Sequence, residues 1–166
     1  MSRKKAFLGE LDQENANTRK LLEVVPMEHA QWKPHEKSMT LIQLATHIAE
    51  IGTWVCSTLE RSELDFAKGD YVLPEIPTTT AELLALHDRC SSDALACIAS
   101  VEEEVFNENW TMRNGDEIYF TMPKVAVIRI WTCNHLYHHR GQMTVYLRML
   151  GVKVPGMYGP TADDVQ

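Results

Sequence analysis

The sequence predicts an all-α fold of four helical stretches, a four-helix bundle, with one short β-hairpin ahead of the last helix. Three observations point there. Apolar residues recur at helical spacing in four separate segments. Capping signals open two of them. Asn114-Gly115, a dipeptide favoured in two-residue hairpin turns, lies between the third and fourth, flanked by apolar residues.

The first helix is expected from about Lys4 to Val25, where Leu8, Leu11, Asn15, Thr18, Leu22 and Val25 fall at helical spacing and Pro26 ends the run. The second opens at Thr40, with Gln43 three residues on as a capping box, and continues through Leu41, Leu44, His47, Ile48, Ile51 and Val55. Residues 62–78 form a polar, proline-containing link, long enough to cross the end of a bundle. The third helix begins near Thr79 and Thr80, with Glu82 as the reciprocal cap of Thr79. It carries Leu83, Leu84, Leu86, Cys90, Leu95 and Ile98 to an acidic stop at Glu102, Glu103 and Glu104. From Asn109 to Lys124, the residues Trp110, Met112, Ile118 and Phe120 flank the turn dipeptide of a short ribbon. The fourth helix follows Pro123 and runs to Leu150. Gly151 suits a left-handed cap there, and Pro155 prevents continuation. The Pro/Gly-rich tail from Val152 to Gln166 is expected to fold over the bundle.

A length of 166 residues suits one domain spanning 1–166. The net charge of −7 and the scattered lysines and arginines give no basic stripe, so nucleic acid is not an expected partner. The N-terminus lacks an apolar signal core, and no run of ~18 apolar residues occurs, so no membrane association is expected and a cytoplasmic location is. Cys56, Cys90, Cys97 and Cys133 form no CxxC pair and are expected to be reduced packing residues. A nucleophile elbow, a phosphate-binding Gly-rich loop and an HExxH motif are all missing.

The chemistry-bearing feature is histidine. At about 100° per residue, His139 lies about 40° from His135, so both fall on the apolar stripe of the fourth helix. His47 faces inward on the second helix, towards one edge. Each buried imidazole nitrogen without a partner costs ~1–3 kcal/mol, and one shared cation satisfies three together. A pair at i, i+4 with a third ligand from a facing helix suits one ion with open coordination, the mark of a catalytic site. Zinc or nickel leads the choice, with iron, manganese and copper also compatible with the ligands.

Helix two, T-L-I-Q-L-A-T-H-I-A-E from Thr40, and helix four, H-L-Y-H-H-R-G-Q from His135, resemble the DinB/YfiT-like superfamily. The run V-Y-L-R-M-L-G-V-K-V-P-G-M-Y-G-P-T-A-D-D from Val145 to Asp164 and W-K-P-H-E-K-S-M ahead of helix two extend the likeness over nearly the whole chain. The resemblance implies up-down-down-up connectivity, a three-histidine metal site matching His47, His135 and His139, and a homodimer. It also implies a metal-dependent enzyme, of which the thiol S-transferase type is the reading adopted: a low-molecular-weight thiol, activated at the metal, would attack an electrophilic small molecule. The competing class is a metal-stabilised binding or stress-response module with a closed pocket.

No catalytic residue is assigned from sequence. Around the metal, Gln142, at about −20° from His135, either bonds a metal-bound water or holds the helix. Glu50, at about −60° from His47, is a carboxylate base, an orienter or a solvated surface group. His138, at about −60° from His135, sits beside Trp131 on the flank of the stripe, where packing is favoured over ligation. Arg140 is expected to point away into a salt bridge or a tail contact. Trp54 is a candidate pocket wall or core residue. His29, His35 and His87 are expected to serve caps or surface contacts.

Overall fold

The computed structural model describes residues 2–164. It is mostly helical, with a small three-stranded sheet. Helix α1 spans Arg3–Glu23, and the Ser2 hydroxyl accepts the Lys5 N–H at its start. Helix α2 spans Leu41–Glu50. Its capping box forms as the spacing predicts: the Thr40 hydroxyl accepts from the Gln43 N–H, and the Gln43 side chain accepts from the Thr40 N–H. Helix α4 spans Thr80–Ser100, with the Thr79 side chain capping Glu82.

The second helix departs from expectation by dividing. After α2 the chain passes through Ile51 and Gly52 and resumes as α3, Thr53–Glu60. At the junction the amides of Trp54 and Val55 reach back only three residues, to the carbonyls of Ile51 and Gly52, and the Thr53 hydroxyl takes the Glu50 carbonyl. The tightened turn passes close to α4. A Cβ at Gly52 would stand 2.8 Å from the Cys90 carbonyl oxygen, so the crossing admits only glycine without movement.

The link between the second and third helices is not structureless. Residues Glu63–Asp65 form strand β1, which pairs in parallel with β2, Asn109–Asn114; β2 pairs antiparallel with β3, Glu117–Pro123. The expected ribbon is therefore two strands of a three-stranded sheet. Its turn is displaced by one residue: Asn114 pairs with Glu117, leaving Gly115 and Asp116 as the loop, with φ +60° at Gly115 alone. Positive φ at only the first loop position fits a II′-like turn rather than the doubly left-handed I′. Asp65 stitches the turn to β1 by accepting the Gly115 N–H at 2.8 Å. The pairings of Met112 with Phe120 and Arg113 with Ile118 leave Tyr119 as an extra residue, a bulge.

The final helical run begins as α5, Lys124–Val127, widens to a π-helix over Ile128–Asn134, and continues as α6, His135–Met149. Gly151 follows with φ +72°, as expected. The π turns widen the spacing upstream of His135, where Ile128 is fully buried in the core. Of the tail, expected to reach Gln166, residues 165 and 166 lie outside the described chain. The rest folds back: Asp163 pairs with Arg148, and Tyr158 reaches α1 and α6.

Two apolar clusters hold the helices together. One joins Leu21 and Leu22 of α1, Leu44 and Ile48 of α2, Leu83 and Leu86 of α4, and Met143 and Leu147 of α6. The other joins Phe7 and Leu11 of α1, Val55 and Leu59 of α3, and Ala94 and Ile98 of α4 with Ile128 and Cys133. Between α1 and α6 lies a buried polar knot that the apolar periodicity did not anticipate. Arg140, 2% exposed, pairs with Glu14 and donates to Thr18, while the Tyr158 hydroxyl donates to Glu14 at 2.7 Å. The tail contact expected of Arg140 is thus present.

Cysteine usage also differs from expectation. Cys90 and Cys133 are buried and free, but Cys56 of α3 and Cys97 of α4 form a disulfide. They are 41 positions apart in sequence, so only the packing of α3 on α4 brings their Cα atoms to 5.5 Å. His87, assigned from sequence to caps or surface contacts, is instead buried on α4 and donates from Nε2 to the Asn15 carbonyl of α1.

Candidate metal centre

Helix α2 presents His47, and α6 presents His135 and His139 one turn apart, with the apolar cluster shared by the two helices fixing their approach. The structure brings the three together. His135 Nε2 lies 2.9 Å from both His47 Nε2 and His139 Nε2, and the ligand nitrogens of the three all fall within 4.8 Å of one another.

The opposite nitrogens decide the tautomers. His47 Nδ1–H donates to Glu50 Oε1 at 3.1 Å, and His139 Nδ1–H donates to Gln142 Oε1 at 2.7 Å. Both Nε2 atoms then carry lone pairs. The single Nε2–H available to His135 can lie along only one of its two 2.9 Å contacts, so no proton arrangement satisfies the cluster. A cation at the centre satisfies all three nitrogens. Tetrahedral bonds of about 2.0–2.1 Å would set the nitrogens about 3.3 Å apart, reached from the observed spacing by small ring movements. The donor set fits a divalent ion of the zinc type.

Burial lowers the basicity of the cluster. Desolvation, followed by His139, His47 and His138 as neighbours, pushes His135 down to about 4. His139 is also held below the usual imidazole range, chiefly by burial, although its bond to Gln142 acts the other way. The neutral form, which ligation requires, is therefore favoured.

A cavity of about 500 Å³ opens beside the cluster, with His47 and Glu50 on its wall. Trp54, Tyr71, Trp110 and Trp131 supply aromatic surface, and Arg61 and Arg89 are the cations on its lining. Trp54 packs 5.0 Å, centroid to centroid, from His135, confirming it as a wall of both cavity and cluster. Tyr71 donates its hydroxyl to Glu50 Oε1 at 2.7 Å, and burial together with that carboxylate raises the phenol well above its ordinary range. Tyr71, Glu50 and His47 thus form a chain from the cavity wall to the cluster.

A sequence model described as the DinB family matches residues 1–166. The chain belongs to the DinB family. An uncharacterized protein of Bacillus subtilis strain 168, YrdA, is 30% identical over 165 residues, covering 95% of this chain and 89% of YrdA. Two crystal structures share the DinB fold. A DinB-like protein from Bacillus cereus matches with a TM-score of 0.71 and 23% identity, covering 93% of this chain and 97% of its own. YjoA, a DinB-like protein from Bacillus subtilis, matches with a TM-score of 0.69 and 20% identity, covering 90% and 96%.

The remaining candidates of this DinB chain sort by contact. Glu50 is 4% exposed and holds His47, so the solvated reading gives way to the orienting one. Gln142 holds His139 rather than stabilising the helix alone. His138 is exposed and packs its ring 5.0 Å from that of His139 without joining the three-histidine cluster. Trp131, on the flank of the inward stripe, stacks on Phe120 of β3 and lies 6.3 Å from His135, centroid to centroid. Tyr71 and the sheet residues Leu64, Trp110 and Met112 on the cavity lining were not anticipated, since they come from the link and the ribbon. No described helix is long and apolar enough to cross a membrane.

Proposed function

We propose that His47, His135 and His139 hold one divalent cation with open coordination, zinc or nickel first, and that the protein is a metal-dependent transferase activating a low-molecular-weight thiol. The observation that carries the reading is the convergence of three Nε2 atoms, two with their Nδ1 protons already engaged, beside a cavity large enough for an organic substrate. When bound, such an ion supplies Lewis acidity that lowers the pKa of a thiol and favours its thiolate.

The protein's own residues account for the rest. Glu50 fixes the ring of His47, Tyr71 fixes Glu50, and Gln142 fixes His139, so the ligand directions are set before anything binds. Trp54 and Trp131 shield His135 from bulk water and offer flat apolar surface to the substrate. Arg89 lines the cavity where an anionic group of the thiol or its electrophile would be held, while Arg61 there already faces Asp70 at 3.8 Å. The open cavity favours this reading over a closed, metal-stabilised module. We further propose a single domain of up-down-down-up bundle topology acting in the cytoplasm, and a homodimer that uses Val145 and Met149, exposed one turn apart on α6.

The test combines elemental analysis of the purified protein with conjugation of monochlorobimane to a panel of small thiols under zinc or nickel load. Stoichiometric metal, lost in His47→Ala, and metal-dependent conjugation with one thiol are expected. Stoichiometric metal without conjugation to any thiol would leave the module reading in its place.

A further inference from the structure

We propose that Cys56, Glu60 and Cys97 form a redox-gated site for a second soft divalent cation, separate from the histidine cluster. Helix α3 places Cys56 and Glu60 one turn apart, and α4 brings Cys97 across from them, with one ligand atom of each residue within 4.8 Å of the others. Both cysteines are partly exposed and Glu60 is exposed, so an ion has access from solvent. Glu60 Oε1 lies 3.5 Å from Cys97 Sγ and makes no ion pair among the described residues. Beside a neutral disulfide this exposed carboxylate meets no cation among the described residues. Beside two thiolates it completes a set of three anionic donors.

The gate is the sulfur–sulfur bond. In the disulfide neither sulfur carries the charge that makes a thiolate a metal ligand. A small dithiol supplies two electrons and two protons: its own sulfurs join as a disulfide, the Cys56–Cys97 bond breaks, and each cysteine becomes a thiol. Zinc then displaces the two thiol protons to solvent and takes the Glu60 carboxylate as a third ligand, leaving one position to water. With zinc–sulfur bonds of about 2.3 Å the sulfurs stand about 3.7 Å apart, a separation that rotation of the two side chains provides. The helices α3 and α4 stay linked in both states, covalently when oxidised and by coordination when reduced. Ser57 and Asp93, which flank this link, lie on the lining of the large cavity, so the site braces one of its walls.

Zinc stoichiometry of the full chain, measured after exchange into metal-free buffer and titration with zinc, tests the proposal. Protein reduced with a trialkylphosphine is expected to bind one equivalent more than oxidised protein, and its cobalt form to show a thiolate-to-metal charge-transfer band. Cys56→Ser and Cys97→Ser should each lose that equivalent under reducing conditions, and Glu60→Gln should weaken it about tenfold. His47→Ala should keep it while losing the histidine-bound ion, so the two sites fail separately. Equal stoichiometry and no charge-transfer band in reduced and oxidised protein would overturn the proposal. So would a redox-dependent equivalent that survives in Cys56→Ser.

Discussion

Glu50 Oε1 stands 3.1 Å from His47 Nδ1, and the same oxygen accepts the Tyr71 hydroxyl at 2.7 Å. A buried carboxylate between an imidazole and a phenol sets the tautomer of the histidine and turns its Nε2 lone pair toward His135 and His139. Replacing Glu50 with alanine is expected to lower zinc affinity about 10–100-fold, as loss of an orienting partner typically does. Glu50→Gln, which can still accept from Nδ1–H, should lose less. Competition titration against a chromogenic chelator reads both; equal zinc affinity in wild type and Glu50→Ala would remove Glu50 from the site.

Gln142 plays the matching part for His139, with Oε1 at 2.7 Å from Nδ1, but from an exposed position. Water can replace part of what it does. Gln142→Ala is therefore expected to weaken zinc binding less than Glu50→Ala, about threefold to tenfold, with the melting temperature of the metal-free protein nearly unchanged. A loss as large as that of His139→Ala would mean that Gln142 is itself a ligand.

Acid should unfold the metal-free protein through its histidines. His87, His135 and His139 are all held below the usual imidazole range, with burial as the first cause in each. A folded pKa below the unfolded value means the unfolded chain binds protons more readily. This contribution is therefore fully present above about pH 6.5 and is lost as pH falls toward the folded values, about 4 for His135. Urea midpoints measured from pH 7.5 down to 4.5 should decline across that window, and His87→Gln should flatten part of the slope. A midpoint independent of pH there would contradict the burial of these rings.

Arg140, adjacent to His139 in sequence, serves the fold rather than the histidine cluster. It pairs with Glu14, donates to the Glu14 carbonyl at 3.1 Å and to Thr18 at 3.2 Å, and meets the tail through Tyr158. Removing one member of a buried ion pair strands the other, so Arg140→Ala is expected to cost about 3–5 kcal/mol in denaturant unfolding. The double replacement Arg140→Met with Glu14→Leu should recover much of that loss, with zinc stoichiometry unchanged. If the double variant were no more stable than the single one, the pair would not be the source of the effect.

Local signals were sufficient for much of this molecule. Helix starts at Thr40 and Thr79, the left-handed cap at Gly151 and the inward face shared by His135 and His139 follow from hydrogen-bonding chemistry and a 3.6-residue period, which act over a few positions and can be read along the chain. The histidine trio was legible for the same reason. Its members sit on regular stretches of α2 and α6, where 100° per residue holds. The π segment Ile128–Asn134 was not legible, because a wider turn changes the angle per residue without any marker in composition.

The tertiary structure alone decided what depends on distant segments meeting. Strand β1 exists because β2 offers it a hydrogen-bonding edge, and Tyr71 reaches Glu50 because the link that carries both strand and tyrosine folds against α3. Glu14 of α1 is buried against Arg140 of α6, and Cys56 and Cys97 had no sequence relation until α3 packed on α4. The sequence by itself determined where the helical stretches lie and the three inward histidines, since both arise from short-range periodicity. Which groups orient those histidines, where the cavity opens and which charges and sulfurs pair were set by the packing of helix on helix, a long-range interaction that no local pattern encodes.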